Sequence, residues 1–312
     1  MGLISTYCLW KASTTNANGT YFSGVCYRFP ESVSTSISSS YDCAVAYSTR
    51  FRWGVGSLRL TPDGGGGAYN SGVDLDFGST YYIDISDFDN LVITVLADTD
   101  AGSYQVQLED NQSGGTYWVN ATFTFPRKQG YYGSTQGAYN NWNVNIIGSE
   151  QNFGDSANDT YWGETNAFDE NYLRKIRLLP SYNGGSMYFE QIVFVKRASS
   201  YSHEFTHHPS VIGGKPHVPI IKDRVPGRHG YKFQYPTNLG RTWEISGDII
   251  SDATYYRDKF LRMYLSQNTF LFIGPDVCSP VKIEEFDYDE QAGYGPELLK
   301  YSMSLQEVIG KD

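Results

Sequence analysis

The sequence predicts a mainly β protein with two β-rich parts and a single helix. Three observations carry that prediction. Apolar and polar residues alternate in short blocks along most of the chain, which is the period of half-buried strands. Tyr (26) and Gly (32) are abundant while only 19% of the 312 residues are charged, a composition suited to strands joined by tight turns. One segment, "SDATYYRDKFLRMYLSQ", has the helical period instead.

At the N-terminus, "MGLISTYCLWKAS" lacks the basic start and long apolar core of a secretory signal and reads as a first strand behind an initiator Met. It also fits M-G-x-x-x-[ST], a myristoylation pattern at Gly2 that is common by chance. These N-terminal strands, 1–40, are assigned to the first domain, residues 1–200. No run of about eighteen apolar residues occurs, so no membrane insertion is expected. The cysteines, Cys8, Cys26, Cys43 and Cys278, show neither C-x-x-C nor metal-ligand spacing, and no metal or cofactor is expected.

From residue 81 onward the strand blocks are "YYIDISDF", "LVITVLAD", "YQVQLED", "YWVNATFTF", "WNVNIIG", "LRKIRLLP" and "MYFEQIVFV". Seven strands without an intervening helix make a β-sandwich. Their order, with "IDISDFDNLVITVLAD", "YQVQLEDNQ", "YNNWNVNI" and "LRKIRLLPSYNGGSMYFEQIVFVK", resembles the jelly-roll carbohydrate-binding modules and their galactose-binding-like relatives over roughly Tyr41 to Arg197. The resemblance implies that Ile176, Leu178, Tyr188, Phe189, Ile192 and Phe194 are core. It also implies sugar binding by stacked aromatics with carboxylates and amides alongside. The candidates are Tyr117, Trp118, Tyr139, Trp142 and Trp162, with Asp110, Asn140 and Asn141 as polar partners; Trp118 and Tyr139 are the preferred pair. Trp142, in an inner-strand block, also reads as core. The loop "NFGDSANDTYWGET" offers Asp155, Asp159 and Glu164 as oxygen ligands for calcium, but at no known calcium-loop spacing, so it reads as a solvated turn.

Residues 201–210 read as a linker. They contain the string H-E-x-x-H at His203, Glu204 and His207, which in zinc proteases requires a helix presenting both histidines on one face. Pro209 and then "VIGGKPHVP" leave room for at most one turn, so the string is expected to hold no catalytic zinc.

Residues 211–312 form the second domain. The helix is expected to be capped at Ser251, with Asp252 in its first turn and Tyr256, Phe260, Tyr264 and Leu265 on one stripe. Strands flank it on both sides, and in "GRTWEISG" alternation sets Trp243 and Ile245 inward against Glu244 and Ser246, with Trp243 expected to face the helix stripe at Phe260 and Tyr264. In "KIEEFDYDE" the same rule puts Glu285, Asp287 and Asp289 on one face and Glu284, Phe286 and Tyr288 on the other. The order "GRTWEISGDI", helix, "FLFIGP", "VKIEEFDYDE", "LKYSMSLQEV" resembles the β-sandwich of phage tail tube and distal tail (baseplate hub) proteins, with Tyr301, Leu305 and Glu307 matching a closing Y-x-x-x-L-x-E. The resemblance implies a virion protein of a tailed virus. In that setting the chain is a homo-oligomer, a hexameric ring, touching other tail proteins and passing viral DNA without reading its sequence. The jelly-roll would face outward to host-surface glycans, with Trp243, Phe260, Tyr264 and Tyr301 as core of the assembly domain. In that family the accessory module follows or interrupts the tail domain, whereas here the sequence order puts it first.

Charge agrees in one respect. The net charge of −10 excludes a protein that grips phosphate backbones, and an acidic wall does not trap passing DNA. The alternative is a carbohydrate-binding protein or the non-catalytic module of a glycoside hydrolase. No G-x-S-x-G or phosphate-binding Gly-rich loop is present, and no enzyme is expected.

Overall fold

The structure, a computed structural model, describes residues 6–12, 26–28, 37–50, 56–63, 71–76, 84–98, 103–110, 118–124, 142–147, 163–164, 168–181, 185–197, 199–205, 209–216, 221–224, 231–234, 240–275, 277–291 and 298–308. They form two compact units, Ala12–Ala198 and, together, Met1–Lys11 with Ser199–Lys311.

In the unit Ala12–Ala198 two antiparallel sheets enclose one core. The first is built around Met187–Lys196, with Asn90–Ala97 on one side and Ser57–Pro62 and Cys26–Arg28 on the other. Asn143–Ile147 extends it beyond Asn90–Ala97, and Cys43–Ser48 beyond Ser57–Pro62. The second runs in the order Gly163–Glu164, Trp118–Thr124, Ser103–Asp110, Leu173–Pro180, Gly72–Asp76, Ile37–Tyr41. Leu58, Ile93, Phe189 and Phe194 from one sheet meet Val73, Val106, Ile176 and Leu178 from the other, all fully buried. Each such side chain contributes roughly 1.5–3 kcal/mol.

The alternation in "MYFEQIVFV" changes phase midway, from Met187 and Phe189 to Ile192 and Phe194. A bulge between Phe189 and Gln191 absorbs the extra residue. Tyr188 is buried as expected, 5% exposed, but outside this cluster, and its hydroxyl donates to Asp98 at 2.9 Å. "YYIDISDF" is not a strand in its described part. Only Asp84 makes a bridge, and its carboxylate accepts from the backbone N–H and hydroxyl of Ser86 to hold a turn.

In the other unit one sheet runs Cys8–Ala12, Phe270–Ile273, Cys278–Gln291, Leu298–Glu307, Arg241–Ile249, Ser210–Pro216. The helix Ala253–Leu265, the only α-helix among the described residues, packs against strands Cys278–Gln291 and Leu298–Glu307. The N-terminal strand, expected in the first domain, pairs with Phe270–Ile273. The reason is visible in "CLW": Leu9 is fully buried in the core of this unit, with Phe270 and Phe272. The jelly-roll thus interrupts the second unit after its first strand.

The expected linker is also part of this unit. His203–Glu204 pairs with Cys8 and Leu9, and Phe205 is 2% exposed, stacked on Tyr301 with ring centroids 6.1 Å apart. The polar neighbours of this phenylalanine hid its role.

The helix begins one residue later than expected, after Asp252 in the left-handed region (φ 53°), and no side chain caps it. Its buried face is Ala253, Phe260 and Met263, with Tyr256 and Tyr264 packed alongside. Leu265 leaves the stripe and is 65% exposed. Trp243 and Ile245 are buried and Glu244 is exposed, but the ring against Trp243 is Phe272, at 5.9 Å, where Phe260 and Tyr264 were expected. Gly213 makes that burial possible, because a Cβ there would stand 2.6 Å from the Trp243 Cα. Gly214 follows at φ 75°, where the pairing register shifts.

Glu307, the last residue of the closing pattern, is 7% exposed. Its carboxylate accepts from the Ser279 hydroxyl at 2.7 Å and from the Arg241 backbone N–H at 2.8 Å, tying three strands together.

Candidate functional site

The H-E-x-x-H string does not start a helix. His203 and Glu204 lie in an extended pair, so the two side chains leave on opposite faces. Glu204 is exposed. The His203 ring is buried edge-on against Phe205, Phe260 and Tyr256, at 4.6, 4.8 and 5.6 Å. Burial first, and then the neighbouring Lys259 ammonium, lower its pKa from 6.5 to about 3. This is a neutral histidine in an aromatic core. His207 lies outside the described residues, and among the described residues no cluster of His, Cys, Asp and Glu is disposed to hold a metal. Nor is any described helix long and apolar enough to cross a membrane.

Of the expected sugar contacts, Tyr117, Tyr139, Asn140, Asn141 and Trp162 lie outside the described residues, as do Asp155 and Asp159. Trp142 is half-buried and precedes an edge strand of the first sheet. Asp110 is fully buried, and its carboxylate accepts the backbone N–H of Asp169 at 2.9 Å. It shares the inward face with Leu108 and Val106, so it serves a turn and is not presented to a ligand. Trp118 takes the register position opposite Glu109.

The outer face of the second sheet gathers groups the sequence reading left unassigned. Alternation sends Val73 and Leu75 inward and Asp74 and Asp76 outward; Val106 and Leu108 inward and Gln105, Gln107 and Glu109 outward; Ile176 and Leu178 inward and Arg177 outward. Cross-strand register then aligns Asp74, Arg177 and Gln107 in one row. Arg177 grips Asp74 with two bonds, Nε to Oδ1 at 2.7 Å and Nη2 to Oδ2 at 3.1 Å. Its Nη2 lies 3.5 Å from Glu109, which Lys175 Nζ approaches to 3.2 Å. Arg177 Nη1 donates to Gln107 Oε1 at 3.4 Å, and Gln107 Nε2 donates to Gln105 Oε1 at 3.1 Å. At the sheet edge the Tyr41 hydroxyl donates to Asp74 at 3.4 Å, and the Arg177 guanidinium lies 5.8 Å from the centre of the Tyr41 ring.

Asp74 and Glu109 are 4% and 9% exposed, while Gln105, Gln107, Lys175, Arg177 and Tyr41 are half-buried. The hydrogen bond to Asp74 raises the Arg177 pKa against partial burial, and burial raises that of Tyr41. Arg177 therefore stays charged, held in place by its two bonds to Asp74. The result is a shallow, rigid array of amide, carboxylate and guanidinium groups with an aromatic ring at its border.

No family model matches the chain, and no curated protein matches it significantly. Among solved structures it is similar to an exo-beta-agarase, at 10% identity and a TM-score of 0.35 over 53% of this chain and 24% of that enzyme's. It is also similar to a protein from Bacteroides thetaiotaomicron described as sugar binding, at 9% identity and a TM-score of 0.29 over 55% and 87%. A protein from Parabacteroides distasonis described as secreted covers 98% of this chain and 92% of its own, at 10% identity and a TM-score of 0.19.

The other unit has a second polar surface. Opposite its helix, register brings Glu285 beside Ser304 and Glu244, Asp287 beside Ser302 and Ser246, and Asp289 beside Lys300 and Asp248. Glu244, Asp248, Glu285, Asp287 and Asp289 are all exposed. The face is acidic and rich in serine, with Lys282 and Lys300 as its cations.

Proposed function

We propose that the protein is a non-catalytic, glycan-binding β protein whose unit Ala12–Ala198 holds a saccharide on the outer face of its second sheet. The observation that supports this reading is the array around Arg177. Sugar hydroxyls donate and accept at once, so a site for them needs rigid planar groups of both kinds beside an aromatic face. Gln105, Gln107, Glu109 and Arg177 supply the first, and Tyr41 with position 118 supplies the second. Every cation of the array already faces a carboxylate, which favours a neutral saccharide over an anionic one. Titration of the full chain with neutral hexopyranose oligosaccharides tests the reading. Binding is expected, with loss of at least about tenfold in Gln107→Ala, which removes one amide worth roughly 1.5 kcal/mol to a ligand. Unaltered binding in that variant, or no binding to any member of the series, counts against the site.

A second reading has its own support. The acidic, serine-rich sheet face and the placement of the jelly-roll inside the other unit agree with a tail tube or distal tail subunit of a tailed virus. In that reading the protein is virion-borne, forms a hexameric ring with other tail proteins around passing DNA, and turns its glycan module outward. The mass of the assembled species tests it, since a defined ring is required.

A further inference from the structure

The outer face of the first sheet of the unit Ala12–Ala198 carries its own polar group, where Cys43–Ser48, Ser57–Pro62 and Met187–Lys196 run side by side. Cys43 and Val45, Leu58 and Leu60, and Met187 and Phe189 turn toward the core, so Ala44, Ala46, Arg59, Thr61 and Tyr188 turn outward. Register sets Ala46, Arg59 and Tyr188 in one row. Tyr188 is 5% exposed, and its hydroxyl donates to Asp98 Oδ2 at 2.9 Å. The other oxygen of that carboxylate accepts from Arg50 Nη1, and the Arg50 guanidinium lies 5.0 Å from the centre of the Tyr188 ring. Burial raises the Tyr188 pKa, as does the bond to Asp98, while the fields of Arg50 and Arg59 lower it, so both cations stand close to this one phenol.

Arg59 is held by hydroxyls. Its Nε donates to the Ser186 oxygen at 3.0 Å, and the Ser186 and Thr61 hydroxyls are 2.7 Å apart. Ser186 is 5% exposed, so this anchor orients the guanidinium, yet Arg59 itself is exposed and so is its row neighbour Ala46. The outer end of the fork, with its four remaining N–H groups, therefore reaches solvent beside a side chain too small to cover it. One hydroxyl hydrogen is left over as well. Ser186 accepts from Arg59, and whichever of Ser186 and Thr61 donates to the other, the second keeps its O–H for a further acceptor. Charge follows the same count, because Asp98 offsets Arg50 and the charge of Arg59 stands in excess.

An oriented planar fork with one surplus charge and a spare hydroxyl matches a carboxylate, which is planar, singly charged and accepts two parallel N–H bonds. We propose that this face binds the carboxylate of an acidic saccharide, with Arg59 in contact with it, Ser186 as the residue that positions Arg59, and Arg50 as the second cation. The proposal deepens the glycan-binding reading and rests on it, but it uses the other sheet of the sandwich from the Arg177 array. In a chain of net charge −10, a site for an anion needs such a local excess of positive charge.

Calorimetric titration of the full chain with neutral hexopyranose oligosaccharides, and with the same oligosaccharides ending in one hexuronate, is the test. The uronate-ended series is expected to occupy a site that the neutral series does not. Arg59→Gln should weaken that site at least about tenfold, since it removes a charge-assisted pair, and leave the neutral series unchanged; Gln107→Ala should do the reverse. Arg59→Lys keeps the charge without the fork and should fall between wild type and Arg59→Gln. Asp98→Asn keeps an acceptor for the Tyr188 hydroxyl but frees Arg50, so uronate affinity should rise severalfold, a gain that a merely structural cluster would not give. Thermal melting shows that each variant is folded. Uronate binding indifferent to Arg59→Gln, or absent where the neutral series binds, overturns the carboxylate site and leaves the glycan reading standing. Uronate binding through Arg59 with no neutral binding upholds this site and overturns the Arg177 array, and no binding of either series overturns both.

Discussion

On the outer sheet face of the unit Ala12–Ala198, Asp74 and Glu109 each have a cation within 4 Å and are nearly covered, whereas the carboxylates at 285, 287 and 289 stand exposed along one strand. Both sets arise from the same period-2 alternation. What differs is the neighbouring strand. Beside Asp74 it supplies Arg177, and beside Asp287 it supplies Ser302. A charge cluster closed on itself is suited to holding a small neutral ligand by hydrogen bonds, because little reorganisation is needed. An open row of like charge is suited to a surface that must repel one partner or recruit an oppositely charged one.

The comparison is tested most strongly by asking whether the two units are independently stable. Trp243→Ala empties a buried indole site and Phe189→Ala a fully buried phenyl site that meets Tyr104 edge-on at 5.4 Å. Each should cost about 3–5 kcal/mol, a large part of a domain's roughly 5–15 kcal/mol. Calorimetry of the full chain should show the first change lowering one transition and the second the other. Glu244→Gln, next to Trp243 but exposed, should fall within about 0.5 kcal/mol of wild type. If both core variants lowered a single common transition equally, the units would be one cooperative body.

Acid should separate the units as well, through His203. Its folded pKa of about 3 lies below the ordinary 6.5, so the unfolded chain takes up the proton first. The contribution of the neutral ring is therefore complete above about pH 6.5, declines as pH falls from there toward 3, and is exhausted below. Its full size is on the order of 5 kcal/mol, since each tenfold difference in proton affinity between the folded and unfolded chain is worth about 1.4 kcal/mol. His203→Phe keeps an aromatic ring among Phe205, Tyr256 and Phe260 and removes the titration. Its stability relative to wild type should rise steadily between pH 6.5 and pH 4, measured by denaturant melts at each pH. A constant difference across that range would place the proton elsewhere.

Much of this architecture was legible because the strands are short and two-sided. "LRKIRLLP" and "MYFEQIVFV" announce themselves by alternation, and the helix by its period. Two things escaped. Leu9 and Phe205 sit in segments too short and polar to show a pattern, yet their burial moves the N-terminal strand and the expected linker into the second unit. The array of Asp74, Gln107, Glu109 and Arg177 escaped for another reason. Its members are scattered over about a hundred residues and meet only through register, which no local pattern encodes. The one local trace is an acid or base at the outward position of an otherwise apolar strand, as in "VDLD", "QLED" and "KIRLL". Of the preferred aromatics, Tyr139 lies outside the described residues, and Trp118 enters through its register with Glu109.

A smaller effect is expected from cutting single bonds in each unit's polar clamp. Asp74→Asn keeps the shape but removes the charge facing Arg177, and with the guanidinium partly exposed the loss should be about 1–3 kcal/mol. Glu307→Gln retains one acceptor for either the Ser279 hydroxyl or the Arg241 N–H, and should cost about 1 kcal/mol in the other unit. Denaturant midpoints of the two transitions read both. The glycan affinity should fall only with Asp74→Asn, which loosens Arg177, and an equal fall with Glu307→Gln would break the assignment of function to separate units.

The smallest effect belongs to the aromatic border of the array. Trp118 shares a register row with Glu109, and Tyr41 closes the opposite side next to Asp74. Stacking of one ring on a saccharide face is worth about 0.5–1.5 kcal/mol. Trp118→Ala should therefore weaken binding of a single oligosaccharide only two- to about tenfold. Tyr41→Phe keeps the ring and removes the hydroxyl that Asp74 accepts, so it should leave stacking intact and alter affinity less still. Calorimetric titration distinguishes the two. A large loss in Tyr41→Phe with none in Trp118→Ala would shift the site from the strand Trp118–Thr124 to the strand Ile37–Tyr41, and the saccharide would then lie across Asp74 and not across Glu109.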